Sequence, residues 1–194
     1  MKEIFQFLNQ LDQNNNKEWF DAHRAEYERT RDQFLHLTEI LIHEIRQFDS
    51  AIGFMKPKDC MFRIYRDVRF SNDKRPFKNN YGSFIARNGR KSGMPGYYIH
   101  FQPGQSFIAG GIYMPPAPNL KMIRKAIYEQ PQDFIEILED PNFKSTFRLF
   151  EDDKLKTAPQ GFPKDFEHID LLRYKSYCPE LLVPDEKLTQ GDVI

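Results

Sequence analysis

The chain opens in a helical rhythm. Ile4, Phe5, Leu8 and Leu11 recur at three- and four-residue spacing and predict an amphipathic helix. The run Asn14-Asn15-Asn16 stops it. Asn15, with Glu18 three residues on, matches a capping box and predicts a second helix there, carrying Trp19, Phe20, His23 and Tyr27. Phe34, Leu37, Leu41, Ile45 and Phe48 then step by three or four residues, the core stripe of a long helix.

The pattern changes after Asp49. The segments 61–65, 83–87, 97–101 and 107–113 are short and rich in aromatic and β-branched residues. Gly and Pro punctuate them at Asn88-Gly89, Gly93-Met94-Pro95-Gly96, Pro103-Gly104 and Pro115-Pro116. Four strands joined by short turns predict an antiparallel meander, with Pro103-Gly104 its clearest hairpin. Helical spacing returns after Pro118 with Leu120, Ile123 and Ile127. Pro131 suits the first turn of a helix carrying Phe134, Ile135 and Leu138, and Pro141 that of one carrying Phe143, Phe147 and Phe150. The segment 171–183 alternates enough to add a strand.

Together these elements predict an α+β fold, with an antiparallel sheet of four or five strands packed against N-terminal and C-terminal helices. The expectation is one domain over 1–194: helices in 1–50, the sheet in 60–114, helices in 117–150 and a C-terminal segment 151–194. The 40% hydrophobic content, with 18 Phe, supplies a core of that size.

Charge adds a local feature. Lys plus Arg equals Asp plus Glu at 28 each, so no global field draws the protein to nucleic acid or to a membrane. Between Arg63 and Lys91, however, nine bases stand against two acids, a net of +7. Between Glu129 and Glu167 ten acids stand against five bases, a net of −5. Cys60 and Cys178 lie far apart and in no ligand spacing, which excludes a disulfide scaffold. The N-terminus lacks the apolar run of a signal peptide, and no stretch approaches the ~20 apolar residues that span a bilayer. The expectation is a cytoplasmic protein without a membrane partner. Oligomeric state is not legible.

The densest chemistry is the block from Phe62 to Lys78, in which arginines alternate with aromatics before a turn at Ser71-Asn72-Asp73-Lys74-Arg75-Pro76. Read as a strand, it sets Arg63 and Tyr65 on one face and Phe62 and Ile64 on the other. Arginine forks suit phosphate or carboxylate, and lysine adds a point charge. Arg63, Arg66, Arg69, Lys74 and Lys78 are therefore candidate anion contacts, with Asp67, Asp73, Tyr98 and His100 as supporting polar groups. The plainer reading is an internal ion-pair network, in which Asp67 and Asp73 neutralise some of the arginines. Two acids do not balance the whole cluster, so both readings stand.

Other motifs carry less. The loop Gly89-Arg90-Lys91-Ser92-Gly93 lacks the spacing of a Walker loop and reads as a mobile basic hairpin tip. His36, Glu39 and His43 share a helical face opposite the Phe34–Leu41–Ile45 stripe and read as solvent-exposed, so no metal site or cofactor is expected. His100 sits mid-strand beside Tyr98, opposite Tyr97, Ile99 and Phe101. It is either a proton donor or acceptor facing the arginines or a hydrogen-bonded sheet histidine. Nearby arginines favour a Cys60 thiolate, but a buried cysteine is the plainer account.

The strings Asn14-Asn15-Asn16-Lys17-Glu18-Trp19-Phe20, residues 62–74, Pro76-Phe77-Lys78, Gly96-Tyr97-Tyr98, Gly110-Gly111-Ile112-Tyr113-Met114-Pro115, Leu155-Lys156-Thr157-Ala158-Pro159 and Leu172-Arg173-Tyr174-Lys175 resemble a largely bacterial family, domain of unknown function 2461. The resemblance runs over nearly the whole chain. It implies no activity, ligand or catalytic residue, so no role is carried to any position. The polar end near Gly191 comes earlier than the resemblance leads one to expect, which points to a further C-terminal segment. The functional expectation is a protein binding a small phosphorylated or carboxylated ligand, with enzymatic activity left open. The alternatives are a nucleic-acid-binding module using the basic aromatic stretch 63–91 and a non-catalytic interaction domain.

Overall fold

Helix α1 (Lys2–Gln13) buries Ile4, Phe5, Phe7, Leu8 and Leu11. Its apolar face thus includes Phe7 in addition to the expected stripe. The computed structural model describes residues 1–69 and 72–190. Phe70 and Ser71 of the basic block, and the polar end 191–194, lie outside the described residues. Helix α2 (Lys17–Ala22) is capped by Asn16, whose side chain accepts from the Trp19 amide at 2.9 Å. The predicted cap, one residue earlier, is thereby corrected. Asn15 instead turns away and brackets the Phe77 backbone. Its Nδ2 donates to the Phe77 carbonyl at 3.1 Å, and its Oδ1 accepts from the Phe77 amide at 3.0 Å.

His23 is the joint between α2 and α3 (Arg24–Phe48), so Tyr27 belongs to the longer helix. Phe34, Leu37, Ile42 and Ile45 of α3 are buried, whereas Phe48, the end of the predicted stripe, is 72% exposed. Two polar pairs join α3 to β1 (Tyr81–Ala86). Thr30 meets the Tyr81 hydroxyl and Thr38 meets the Ser83 hydroxyl, both at 2.9 Å and both buried. Tyr81 and Ser83 share a strand face, and each threonine hydroxyl also returns a bond to its own helix, so nothing polar is stranded.

The short helix α4 (Pro57–Cys60) leads into the basic block. Residues 61–65 do not form the expected strand: Met61 makes a single bridge to Ser83 and Tyr65 a single bridge to Phe77. The cause is a change of partner. The Phe62 amide donates to Gly82 O at 2.8 Å, but the Arg66 amide donates to Pro76 O at 2.9 Å, and the Lys78 amide donates back to Ile64 O at 2.8 Å. Pro76 has no amide to return, so no ladder propagates.

Strands β2 (Gly96–Phe101) and β3 (Phe107–Gly111) follow, the hairpin between them turning at Gly104 with φ 69°. Next come α5 (Ala117–Glu129), α6 (Pro131–Glu139), α7 (Pro141–Thr146), β4 (Arg148–Leu149), α8 (Ile169–Leu172), β5 (Pro179–Leu182) and α9 (Asp185–Thr189). The five strands form an open antiparallel sheet in the order β1-β2-β3-β5-β4, so the class is α+β as the pattern predicts. In β4 and β5, Arg148 pairs with Glu180 and Leu149 with Pro179.

The contacts group into two compact units. The first holds Met1–Ser92, Tyr97–Ile108 and the chain from Leu182 onward. Its main core joins the buried face of α1 to Phe20, Phe34, Phe77, Tyr81, Phe101 and Leu188. Ile42, Ile45, Ile52, Cys60 and Ile85 make a second cluster in the same unit. The other unit holds Gly93–Gly96 and Ala109–Leu181, with a core of Ile112, Ile127, Leu172, Tyr174 and Tyr177. Among the described residues, no helix is long and apolar enough to cross a membrane.

The Asn15 bracket yields a prediction. Phe77 is only 2% exposed, so Asn15→Ala strands a buried amide and carbonyl and should cost about 1–3 kcal/mol in urea unfolding. Loss below about 0.5 kcal/mol, the range of surface substitutions, would contradict this role.

Candidate anion-binding site

The two acids of the basic block act locally and by the same device. The Asp67 carboxylate accepts from Arg69 Nε at 3.0 Å, Arg69 Nη2 at 2.8 Å and the Arg69 amide at 3.3 Å. Six residues later in the sequence, Asp73 accepts from Arg75 Nε, Nη2 and amide at 2.9–3.1 Å. Each Asp-x-Arg unit closes on itself as an Asx-type turn. Arg75 also reaches Asp12 at 2.7 Å, and Lys74 Nζ donates to the Val68 carbonyl at 3.0 Å. The Arg69 hydrogen bonds hold the Asp67 carboxyl down at about 2, and those from Arg75 do the same for Asp73.

A second group of cations is less fully paired. Arg66 makes one ion pair, Nη1 to Asp73 at 3.4 Å, while its Nε is buried with no partner among the described residues. Lys78 is half-buried, with its ammonium 5.7 Å from the centre of the Phe62 ring. The Arg90 guanidinium lies 5.3 Å from the same ring and donates to the Met61 carbonyl. Among the described residues, no carboxylate lies within 4 Å of the Arg63, Lys78 or Arg90 cation. Burial, and then the charges of Arg63, Arg66 and Arg90, push the Lys78 ammonium below the ordinary lysine value.

An aromatic wall adjoins these cations. Tyr98 meets Phe62 edge-on with centroids 6.1 Å apart, and Phe107 lies 5.6 Å from Tyr98 and 4.7 Å from His100. The Tyr98 hydroxyl donates to His100 Nδ1 at 2.9 Å, and His100 Nε2 donates to Gln102 Oε1 at 2.9 Å. Asn80 Nδ2 stands 3.5 Å from the same Nδ1. This pattern fixes a neutral ring with its proton on Nε2. Burial chiefly, and the Lys78 charge after it, lower the His100 value, with the Gln102 bond acting the other way. Gly82 makes room for the tyrosine: a Cβ there would sit 2.5 Å from the Tyr98 hydroxyl.

All of these side chains belong to the first compact unit. Arg66, Lys78, Tyr98 and His100 come together, and the exposed Arg63 acts through its charge on both Lys78 and Asp67, whereas Arg69 and Lys74 are engaged with Asp67 and Val68. Sequence reasoning set Arg90 on a mobile tip and gave no role to Phe62, Asn80 or Gln102. Arg87 is exposed. His36 and His43 are exposed on α3, and among the described residues no cluster of three His, Cys, Asp or Glu side chains is placed to hold a metal. Both cysteines are buried; burial pushes the Cys60 thiol up to about 11 and Cys178 up to about 12, so a Cys60 thiolate is not favoured.

With this geometry in hand, the comparison with known families is informative about lineage. The sequence matches the family described as Conserved hypothetical protein (DUF2461) over residues 3–194. The chain belongs to that family. Neither a curated protein nor a solved structure matches it significantly. The DUF2461 description names no ligand and no reaction, so the chemistry rests on the side chains themselves.

The self-closed acid turns have a pH signature. The folded values of Asp67 and Asp73 lie below the unfolded carboxylate value of about 3.9. Their contribution to stability is therefore present above pH ~4 and disappears as pH falls through about 2. A carboxyl-detected NMR titration should give both residues midpoints near about 2. Midpoints at the ordinary carboxylate value would contradict the closed turns.

Proposed function

We propose that this DUF2461 chain is a cytosolic protein that binds a small anionic ligand, phosphorylated or carboxylated, through Arg63, Arg66, Lys78 and Arg90. The observation that carries this reading is Lys78. It is half-buried, three guanidinium groups act on it, and among the described residues it has no carboxylate partner. A half-buried cation beside like charges is destabilised unless an anion joins them. The buried, unpartnered Nε of Arg66 supplies a donor for such an anion. Tyr98, held on His100, supplies a polar edge on the aromatic wall. Arg69 and Lys74 fall outside the contact set because Asp67 and the Val68 carbonyl already occupy them.

The rival nucleic-acid reading is weakened by the zero net charge of the whole chain, which gives no long-range attraction to a polyanion. Salt dependence separates the two. A protein contacting six to ten phosphates of a nucleic acid loses about 10³-fold or more in affinity between roughly 50 and 200 mM salt, whereas binding of one enclosed anion is less sensitive.

The test is a thermal-shift screen of inorganic phosphate, nucleotides, organic acids and short oligonucleotides. The expected result is a rise in Tm with a small anion that survives moderate salt. Arg66→Ala and Lys78→Gln should each abolish that rise, while the exposed Arg87→Ala leaves it intact. Apo stability of Arg66→Ala should stay within about 0.5 kcal/mol, since its ion pair with Asp73 is long and only partly buried. A loss of about 3 kcal/mol with the anion response intact would instead make Arg66 a structural partner and refute the reading.

A further inference from the structure

We propose that Lys78 is an amine nucleophile that forms a Schiff base with a small carbonyl compound bearing a carboxylate or phosphate, whose anionic end is held by Arg63, Arg66 and Arg90. This inference rests on the anion reading above and adds the reacting group to it.

The argument starts from which of the four cations is able to discharge. A guanidinium does not lose its proton in a protein, so Arg63, Arg66 and Arg90 stay cationic at any working pH. Lysine is the one member of the set whose repulsion is relieved by giving up a proton. Burial and the same three guanidinium groups act on it in that direction. Among the described residues, the charges of those three arginines act on Lys78, the charge of Lys78 acts on His100, and the Phe62 ring lies 5.7 Å from the Lys78 ammonium. Lysines activated in this way, by desolvation beside another cation, attack carbonyl groups.

Another shielded lysine, Lys154, shows the opposite design. Lys154 in the second unit is 19% exposed, pairs with Asp170 at 2.5 Å and Glu151 at 3.2 Å, and lies 4.3 Å from the centre of the Tyr174 ring. Burial alone would lower its value, but the bonds to Asp170, Tyr174 and Glu151 override this and raise it. That ammonium is fixed as a cation and has a structural account. Lys78 has no such acids among the described residues. Asp67 and Asp73, the acids of its own block, close on Arg69 and Arg75, with Asp73 also reaching Arg66.

The chemistry balances without an oxidant or reductant. The Lys78 Nζ lone pair attacks the carbonyl carbon, a C–N bond forms, and the C=O π pair moves to oxygen. Oxygen takes a proton and nitrogen gives one up, yielding a carbinolamine. The C–O bond then breaks, the hydroxyl leaves with a second proton as water, and the nitrogen lone pair closes the C=N bond. Lys78 is only half-buried, so water exchanges these protons. Three fixed cations hold the carboxylate or phosphate and place the carbonyl at the amine.

The test is reductive trapping on the full chain. Pyruvate and, separately, uncharged acetone are added with cyanoborohydride at neutral pH, and adducts are mapped by peptide mass spectrometry. The expected result is that pyruvate labels Lys78 several-fold faster than any other lysine and faster than acetone does, and that inorganic phosphate slows it. Lys78→Arg should lose that adduct while its circular dichroism and cooperative thermal unfolding match those of the unsubstituted chain, which shows that the variant folds. If phosphate still raises Tm but pyruvate labels all exposed lysines alike, the Schiff-base inference is overturned and the anion reading survives. If Lys78 is labelled equally by pyruvate and acetone and phosphate leaves Tm unchanged, the anionic substrate class is overturned together with the anion reading.

Discussion

The bracket that Asn15 places on the Phe77 backbone is the interaction on which the candidate site depends. A single amide side chain satisfies both the donor and the acceptor of one buried residue, as a neighbouring strand would. Phe77 is thereby fixed against Phe20, with ring centroids 4.0 Å apart and planes within 13°. The next residue is Lys78, whose amide is tied to Ile64, and the preceding Pro76 carbonyl holds the Arg66 amide. Local helix chemistry at Asn15-Asn16 thus sets the course of an irregular segment sixty residues away. Two adjacent asparagines divide the work, one capping α2 and the other replacing a strand.

The charges follow from that course. Within the block, sequence proximity lets each aspartate capture the arginine two residues on, although Asp73 also reaches Arg66 at 3.4 Å. The remaining cations converge from separate stretches of chain: Arg63 and Arg66 from the irregular segment, Lys78 from the entry to β1, and Arg90 from the turn after it. Lys154 in the second unit, by contrast, is gathered with Asp170 and Glu151 and is electrically closed. Among the described residues the chain therefore contains both a neutralised network and one that is compensated only at Arg66, by Asp73.

The class and most elements were legible because long periodic segments decide them. Helix α6 and the β2–β3 hairpin at Pro103-Gly104 appear where the pattern puts them, whereas the α3 stripe ends on an exposed Phe48 and α7 stops at Thr146, short of the expected Phe147 and Phe150. The failures are local competitions. Residues 61–65 have strand composition, yet their backbone partners change from Gly82 to Pro76, and composition does not encode partner identity. The cap moved from Asn15 to Asn16 because either asparagine satisfies the local rule, and a long-range demand at Phe77 selects between them. The Arg63–Lys78 block announced itself by charge, but Arg90 did not. Its approach to Phe62 depends on the length and register of β1, which no single position reveals. Likewise the Tyr98–His100–Gln102 relay was visible only as alternate strand positions.

The central claim, a proposal, is that Arg63, Arg66 and Arg90 form an anion site with Lys78, distinct from Arg69 and Arg75 in their self-closed Asp-x-Arg turns. The most direct measurement is an NMR titration of the arginine Nε–H signals with inorganic phosphate. The account predicts saturable shifts at Arg63, Arg66 and Arg90, with Arg69 and Arg75 unmoved in their pairs with Asp67 and Asp73. Equal, non-saturating drift of all the arginine signals, or no shift at the first three, would contradict it.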